Sequence, residues 1–537
     1  MLTFRELFVF CCFCVIIFSD SIQCRAAEQR YSQNETHEKI SVFANTLLRV
    51  KNLVAGAVVV VKNDEVVYRQ GFGRRNLSSE AKVDNNTLFG IASLTKAFGA
   101  ATLVKVIEEM KNVSLKTPIS DYLDDIEFST EQRTKYANIE DLLAHRMGLP
   151  RNNFLRLNQN FNRQTIPKFL KYFEEIADFR GSYVYSNIMY GLATLITEKL
   201  ANNTWEDVVT EKILRPLGMN ATKFSTRSSG DAENIARSYV EQEKKRLVQV
   251  PFSFKRKWAD IGASGSIQTT ANDISKWMRF LLNGNTSLLC NIFKVRNFAI
   301  QTKNRFHRPE MPVEYSNSQY ALGWNKGHYR GYPIIVHTGT SWGDASILLL
   351  FPEEKLAVFG VLTGSDTKHL KRILLAQYVA DLYLGFEPWI NATSIKDFVV
   401  PKHKSKCPRP AARRSTIGLF PRNFPECRKT ITKPNNISIL PSNFSSYDGI
   451  YNNILWGNIT VTYNTESQGL FFTYGFATFQ LLPRSRKHRS FAAKGIGEMC
   501  FMRLSSINFE YTRNKGITSM TIPSFERSMP PTFLKIS

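Results

Sequence analysis

Ser93-Leu94-Thr95-Lys96 is the stretch around which this chain is organised. It follows an apolar run, Leu88-Phe89-Gly90-Ile91-Ala92, and leads into a helical pattern that continues to about Met110. A serine at the start of a helix and a lysine three residues later share one helical face, so the lysine amine can reach the serine hydroxyl. A hydroxyl is a weak nucleophile until a nearby base removes its proton, and a desolvated lysine can be that base. Taken alone, the four residues also fit an N-cap serine beside an exposed lysine.

The start of the chain predicts export. Residues 1–27 have the pattern of a secretory signal peptide, in which Arg5 precedes an apolar run over residues 7–18. That run is too short to span a membrane, and the alternative is an uncleaved anchor. We therefore expect a soluble, secreted, extracellular protein.

Sequons and cysteines agree with export. Of the three possible pairings of the four cysteines that follow the signal, we expect Cys407 with Cys427 and Cys290 with Cys500. Eleven N-x-S/T sequons are candidate glycosylation sites: Asn34, Asn76, Asn85, Asn112, Asn202, Asn220, Asn285, Asn391, Asn436, Asn443 and Asn458.

The net charge of +24 favours acidic partners. Between Lys396 and Lys433 the chain carries eleven Lys or Arg residues against Asp397 and Glu426. This segment is typical of a solvated linker, and the alternative is a binding segment for acidic matrix polymers. Nucleic acid is not an expected partner, because the chain has no recognisable binding module for it. The sequence does not predict the oligomeric state.

The order of elements predicts an α/β (α+β) fold. A helix over residues 37–50 precedes a hairpin, residues 115–280 are mostly helical and loop-like, and strands return from residue 334 before a closing helix over 369–384. This order indicates an antiparallel sheet that is covered by the terminal helices and interrupted by a helical subdomain. With 537 residues, the chain divides into residues 37–386, a basic linker over 387–445 and a small β-barrel or sandwich over 446–537.

Two further motifs carry polar groups that complement a nucleophile. Tyr185-Ser186-Asn187 offers a phenol that an adjacent ammonium would help to ionise, so that it works as a general base, and an amide that orients. His337-Thr338-Gly339-Thr340 lies on a predicted edge strand, where Gly339 would let a substrate approach the backbone. The amides of Thr340 and Ser93 would form an oxyanion hole. His337 alone also fits a structural histidine.

S-x-x-K, Y-x-N and [KH]-T-G in this order resemble the serine β-lactamase and penicillin-binding-protein superfamily, in its class C-like branch (peptidase family S12). The resemblance covers roughly residues 37–386, and a weaker one likens residues 447–537 to the small lipocalin-like domain of such proteins. It implies that Ser93 is the nucleophile that forms an acyl-enzyme, Lys96 its general base, Tyr185 the proton shuttle and Asn187 the orienting amide. His337 replaces the usual lysine, which speaks against β-lactam turnover and fits esterase-like and peptidase-like members.

Other catalytic sites are less well supported. Gly339-Thr-Ser341-Trp-Gly343 is a G-x-S-x-G motif, but a nucleophile elbow needs a helix after the serine, and a β run follows instead. His145 fits a structural residue at a helix end. No H-E-x-x-H or zinc-type cysteine spacing is present, so neither a metal nor another cofactor is predicted.

Two functions follow from these observations. The first is a secreted serine hydrolase that cleaves an ester or amide of a small molecule or peptide. The second is an extracellular matrix component on a hydrolase scaffold, since animal relatives in the superfamily include the gigasins of mollusc shell matrix. The two functions are compatible with each other.

Overall fold

The computed structural model describes residues 30–398 and 444–537, apart from residues 229, 231–233, 243–245, 285, 299–311, 367–369, 397 and 486–488. The predicted signal peptide, most of the basic linker, Cys407 and Cys427 lie outside the described residues, as do the sequons at Asn285, Asn436 and Asn443. The asparagines of the other sequons are exposed or half-buried, and their glycosylation stays a prediction. None of the helices in these ranges is long and apolar enough to cross a membrane.

The order of elements agrees with the predicted sequence of a helix, a hairpin, a mostly helical block, further strands and a closing helix. The helices of the described residues are α1 (Gln33–Val50), α2 (Thr95–Glu108), α3 (Glu131–Tyr136), α4 (Ile139–Leu143), α5 (Ile166–Leu170), α6 (Asn187–Ala201), α7 (Trp205–Val209), α8 (Phe252–Trp258), α9 (Ala271–Asn283), α10 (Ser287–Phe293) and α11 (Lys371–Tyr383). The strands before the linker are β1 (Leu53–Lys62), β2 (Glu65–Gly73), β3 (Phe89–Gly90), β4 (Lys223–Phe224), β5 (Tyr239–Glu241), β6 (Leu247–Gln249), β7 (Ile267–Thr269), β8 (Asn297–Phe298), β9 (Gln319–Tyr320), β10 (Asn325–Tyr329), β11 (Tyr332–Thr340), β12 (Asp344–Phe351) and β13 (Leu356–Gly364). The strands after it are β14 (Gly449–Asn453), β15 (Gly457–Asn464), β16 (Gly469–Tyr474), β17 (Ala477–Ser485), β18 (Ser490–Gly495), β19 (Arg503–Thr512), β20 (Gly516–Thr521) and β21 (Thr532–Lys535).

An eight-stranded antiparallel sheet lies at the centre of the first region, in the order β2-β1-β13-β12-β11-β10-β9-β8. Because β13 pairs with β1, the last strand of the sheet in the chain lies beside the first. Alternate residues of β1 enter opposite cores, since successive side chains of a strand point to opposite faces. Val58 and Val60 belong to the core beneath the terminal helices, and Val59 and Val61 belong to the core beneath the helical block.

The terminal helices α1 and α11 cover one face of the sheet, as predicted. The helix α1 begins with a capping box, in which the Ser32 hydroxyl accepts from the Glu35 amide at 3.3 Å and the Glu35 carboxylate accepts from the Ser32 amide at 2.8 Å. Phe43 of α1 stacks on Tyr378 of α11 with the ring centroids 3.9 Å apart. These contacts fix the two ends of the first region against each other.

The first region extends beyond its predicted end at residue 386. Ile390 and Ile395 are buried in the same core as the terminal helices. The sequence placed these two isoleucines in the linker because the residues after them are rich in proline and basic residues. Composition is an average over many residues, and it does not reveal two isolated buried side chains.

Strand β11 is an interior strand, and this differs from the predicted edge strand. Its first five residues pair with β10, from Tyr332 to Val336. From His337 to Thr340 its described partner is β12 alone, because β10 begins at Asn325, opposite Val336. The H-T-G motif is therefore an open edge even though its strand is interior.

The C-terminal region is a closed eight-stranded barrel, β14 to β21, which confirms the predicted small β-barrel. Along β15 buried and exposed residues alternate, with Ile459 and Val461 inside. Closure of the sheet leaves no unpaired strand edge.

The barrel packs against the helical block of the first region. Phe525 stacks on Phe154 with the centroids 5.2 Å apart, and Phe501 meets Phe254 of α8 edge to face at 4.7 Å. The Asn158 amide donates to the Trp456 carbonyl at 3.1 Å. The barrel thus supports α8, the helix that carries part of the cavity described below.

The predicted disulfide between Cys290 and Cys500 is wrong. Cys290 is a free, exposed thiol on α10, a helix that lies beside α2. Cys500 lies on a barrel turn whose carbonyl accepts from the Gln242 side chain at 2.8 Å. The two cysteines belong to different elements with different neighbours, which the even cysteine count did not reveal.

Candidate active site

Ser93 lies in a short 3-10 turn, Ala92–Leu94, which leads directly into α2. Ala92 has a φ of +47°, a backbone conformation that costs energy for a residue with a Cβ atom. The turn is fastened to the sheet, because the Ile91 carbonyl accepts from the Ser346 hydroxyl of β12 at 2.7 Å. The nucleophile candidate is therefore held on a strained and anchored turn.

Lys96 is fully buried one turn after Ser93, and polar atoms surround its amine. The amine donates to the Asn187 side-chain oxygen at 2.7 Å and to the Ser264 carbonyl at 2.8 Å, and it lies 3.2 Å from Ser93 Oγ. A neutral amine has two N–H bonds and one lone pair. In the neutral form both N–H bonds can point to these two acceptors and the lone pair is left for the Ser93 hydroxyl, whereas in the ammonium form the third N–H donates to Ser93 Oγ.

The charge state of Lys96 agrees with this geometry. Burial, and then the positive charge of Arg156, hold the pKa of the Lys96 amine well below its usual range. A lysine with a lowered pKa can accept a proton near neutral pH. The structure thus brings Ser93 and Lys96 together as the sequence predicts.

Tyr185 and Asn187 lie on either side of Ser186, the N-cap residue of α6. Ser186 is the N-cap residue and accepts from the Met189 amide at 3.3 Å. Asn187, the first residue of α6, accepts from Lys96 and donates to the Asn153 side chain at 2.9 Å. The orienting amide therefore lies where the sequence predicts.

The phenol of Tyr185 differs from its predicted charge state. It hydrogen-bonds to Ser93, and its ring centroid lies 4.8 Å from the Lys96 amine. Burial raises the pKa of Tyr185, and this outweighs the hydrogen bond to Ser93 that lowers it. Lys96 is not among the groups that shift this pKa, so the predicted easier ionisation of the phenol by the lysine has no support here. Tyr185 is thus a neutral proton donor at rest.

His337 neighbours Tyr185 and Tyr320, with ring centroids 6.5 Å and 6.0 Å away, and it is not among the residues that line the cavity above Ser93. Its ring is 3% exposed. Its Nδ1 donates to the Thr338 carbonyl at 2.9 Å, so Nε2 accepts from the Tyr320 hydroxyl at 3.1 Å. Burial, and then the charge of Lys96, lower the pKa of His337 to about 3, so the ring is neutral at physiological pH. Its hydrogen bond to the Tyr320 hydroxyl makes it a structural support for that ring.

The rest of the H-T-G motif has two different roles. A Cβ atom on Gly339 would overlap the Ile91 carbonyl oxygen and the Ser346 hydroxyl. The close approach that this glycine permits is therefore to the turn of Ser93 and not to a substrate. Thr340 lines the same cavity as Ser93, as the oxyanion-hole hypothesis requires, and Thr338 supplies the carbonyl that holds His337.

A cavity of about 510 Å³, open solvent included, lies above Ser93. Much of its wall was not predicted from the sequence, namely Arg156, Lys255, Trp258, Ser264 and Asp344. The Lys255 amine pairs with the Asp344 carboxylate at 2.7 Å. Arg156 lies in the 3-10 turn Asn153–Leu157, a loop whose path no periodicity in the sequence predicts. No local motif marks these residues, because they converge only in three dimensions.

The two alternative catalytic residues are accounted for. Ser341 lines the cavity but lies between β11 and β12 in a turn, without the helix that a nucleophile elbow needs. His145 is buried just after α4 and accepts from the Ser186 amide at 3.2 Å, which agrees with a structural residue at a helix end. In the described part of the chain, no His, Cys, Asp and Glu side chains are grouped to hold a metal ion.

Comparison with known proteins identifies a family whose model matches this chain. Residues 46–381 match the family model Beta-lactamase. An unguisins hydrolase of Aspergillus violaceofuscus is 25% identical over 355 residues, which cover 62% of this chain and 62% of that protein. Gigasin-6 of Magallana gigas is 29% identical over 228 residues, or 42% of this chain and 75% of gigasin-6. The chain thus spans less than two thirds of the fungal protein.

The solved structures show a related architecture. The octameric penicillin-binding protein homologue from Pyrococcus abyssi has a TM-score of 0.56 and 17% identity, and the match covers 93% of this chain and 96% of that one. At this identity the likeness concerns the fold. It extends over the barrel as well as the first region.

Proposed function

The chain belongs to the beta-lactamase family, and on this premise we propose that it is a serine hydrolase that cleaves an ester or amide through an acyl-enzyme on Ser93. The fold and its hydrolase relatives support the broader class. The observation that carries the proposal is the buried Lys96 amine, which has two acceptors for its N–H bonds and the Ser93 oxygen at 3.2 Å.

The first step would be attack on the substrate carbonyl. Lys96 takes the proton of the Ser93 hydroxyl as Oγ bonds to the carbonyl carbon, and the negative charge moves to the carbonyl oxygen. Asn187 keeps the amine aimed at Ser93 through its 2.7 Å hydrogen bond. The amides of Ser93 and Thr340 would stabilise the oxyanion.

The second step would expel the leaving group. The oxyanion re-forms the carbonyl double bond as the bond from the carbonyl carbon to the leaving group breaks, and the ammonium on Lys96 gives its proton, through the Tyr185 phenol, to the departing oxygen or nitrogen. Tyr185 suits this role because burial keeps its phenol protonated and its hydroxyl contacts Ser93. Water then gives a proton to this route as its oxygen bonds to the acyl carbon, the bond from that carbon to Ser93 Oγ breaks, and the proton returns to Oγ as the carboxylic acid product leaves.

Covalent labelling tests the proposal. Purified protein should react with a fluorophosphonate probe, and Ser93→Ala should abolish the labelling. Ser341→Ala is the matched control, because this serine lines the same cavity, and it should label like the wild type. Labelling that survives Ser93→Ala, or no labelling of folded wild-type protein by either a fluorophosphonate or a penicillin-type probe, would contradict the proposal.

We further propose that the protein is secreted and binds acidic extracellular polymers through residues 396–433. The net charge of +24, the eleven basic residues of this segment and the similarity to gigasin-6 support it. The test is a pull-down on chondroitin sulfate and calcium carbonate. A variant with the eleven basic residues replaced by glutamine should lose binding, whereas Ser93→Ala should keep it. Undiminished binding by the glutamine variant would refute the role of this segment.

A further inference from the structure

Arg156 is a buried cation in the wall of the cavity above Ser93. Only 9% of its surface is exposed. The guanidinium lies 3.6 Å from the centroid of the Trp258 ring, and it donates to the Trp258 carbonyl at 3.0 Å. It also donates to the Asn153 carbonyl at 3.2 Å and weakly to the Asn153 side chain at 3.4 Å. The side chain is therefore held in one place before any ligand arrives.

The charge of Arg156 is not compensated within the described residues. All of its hydrogen-bond acceptors are neutral, and no aspartate or glutamate is among the groups that act on it. Burial lowers the pKa of this guanidinium to about 9, which still leaves it charged at neutral pH. Buried charges in proteins are ordinarily paired with an opposite charge or bound to a ligand.

The guanidinium also retains hydrogen-bonding capacity. Arginine has five N–H donors, and the bonds to Trp258 and Asn153 account for three of them. Planar guanidinium groups bind carboxylates through paired N–H donors.

The other charged groups of the cavity cancel. Lys255 and Asp344 pair with each other at 2.7 Å. Among the described residues that line this cavity, Arg156 is therefore the charged side chain without a partner of opposite charge.

We propose that Arg156 determines substrate specificity by binding a carboxylate that the substrate carries, while the scissile carbonyl lies over Ser93. The inference rests on the proposed hydrolase function and narrows its substrates to acyl compounds with a free carboxylate. Binding of the anion would neutralise the buried guanidinium, so the free-energy cost of its burial would be offset only when such a substrate is present.

Two esters that differ in one charge test the inference. Mono-p-nitrophenyl glutarate carries the carboxylate, and its methyl ester does not. For the wild type, kcat/KM should favour the charged ester by about 10- to 100-fold, the range of a charge-assisted hydrogen bond. Arg156→Gln should abolish this preference, and Arg156→Lys should keep part of it.

The matched control is Arg151→Gln, since Arg151 is an exposed arginine close enough to act on Tyr185. It should keep the preference at physiological salt, because screening weakens the field of exposed charges. Equal kcat/KM for both esters in the wild type, or a preference that survives Arg156→Gln, would overturn the inference while hydrolysis itself stands.

A binding measurement separates the inference from the hydrolase function. Glutarate should change the tryptophan fluorescence saturably, because Trp258 contacts the guanidinium, and Arg156→Gln should weaken its binding about tenfold or more. If neither ester is cleaved but glutarate binds through Arg156, the hydrolase function fails and the carboxylate site stands. If glutarate binds with equal affinity to both proteins, or to neither, the carboxylate site is overturned.

Discussion

Arg156 and Arg163 are two arginines of one loop region, equally buried, that differ in their partners. Arg163 donates to Glu198 at 2.8 Å, to Glu206 at 2.8 Å and to the Asp260 carbonyl at 2.6 Å. Burial alone would lower the pKa of Arg163, but the hydrogen bond and charge of Glu206 raise it instead. The pKa of Arg156 moves the opposite way, to about 9, because burial acts there without a carboxylate.

The two arginines are equally buried, so the presence or absence of a carboxylate partner distinguishes a structural charge from one that is available to a ligand. A paired charge holds elements of the fold together, and its removal leaves its partners exposed to an apolar environment. An unpaired charge beside a nucleophile raises the free energy of the empty site and is available to a ligand. Four predictions test this difference.

The largest effect on catalysis is expected at Lys96, whose pKa the charge of Arg156 helps to lower. Lys96→Met should lower kcat/KM by about 10²- to 10⁴-fold, the usual contribution of a general base. The measurement is ester hydrolysis at saturating and limiting substrate. Lys105→Met, a half-buried lysine on the same helix, is the control and should keep the wild-type rate. A fully active Lys96→Met variant would remove Lys96 from the mechanism.

The next effect concerns stability. Arg163→Met should lower the free energy of unfolding by about 3–5 kcal/mol, because Glu198 and Glu206 lose their buried partner. Arg156→Met should cost much less, since no carboxylate is left unpaired. Urea unfolding of both variants measures the difference. Equal losses would show that the two charges play the same structural role.

A pH effect follows from His337. Its pKa falls from 6.5 in the unfolded chain to about 3 in the fold, so between these values the unfolded chain binds a proton that the folded chain does not. The free energy of unfolding should therefore decrease as the pH is lowered from 6.5 towards 3. His337→Gln should flatten this dependence, as urea unfolding at several pH values would measure. Part of it should persist, because burial also lowers the pKa of His145. An unchanged pH dependence in His337→Gln would mean that His337 is protonated in the fold.

The smallest predicted effect is a shift of the pH profile. Activity should fall as the pH drops through the pKa of Lys96, since the ammonium cannot act as a base. The charge of Arg156 helps to hold that pKa down. Arg156→Gln should thus move the acid limb of the profile to higher pH. Arg163→Met, which removes an equally buried but paired charge, should leave the limb in place. An acid limb that moves in both variants, or in neither, would contradict the specific coupling between Arg156 and Lys96.

Much of the fold could be predicted from the sequence. The 3.6-residue periodicity of α1 and the apolar runs of β1, β12 and β13 are local signals, and their order predicts the sheet with its terminal helices. The edge position of β11 was predicted incompletely, because the hairpin that pairs Asn325–Tyr329 with Tyr332–Val336 was not recognised in the sequence. A contact between residues far apart in the chain is a long-range property that no local pattern encodes. The same holds for the missing Cys290–Cys500 bridge.

The candidate site was predicted in part. Ser93 and Lys96 lie one helical turn apart, so spacing was enough to bring them together. The raised pKa of Tyr185 was not predicted, because it follows from burial of the phenol, which depends on segments that are distant in the chain. Arg156 was not predicted as a site residue, since its proposed role depends on the lack of a carboxylate partner among the described residues around it.

By itself, the sequence determined the hairpins, the helices and the pairing of a serine with a lysine, because these follow from contacts between near neighbours in the chain. Only the tertiary structure decided which polar groups are desolvated and which charges have partners. Both depend on distances between segments that the chain separates by up to a few hundred residues. The burial of a group and the pairing of its charge depend on all the atoms around it, and a local sequence pattern does not specify those atoms.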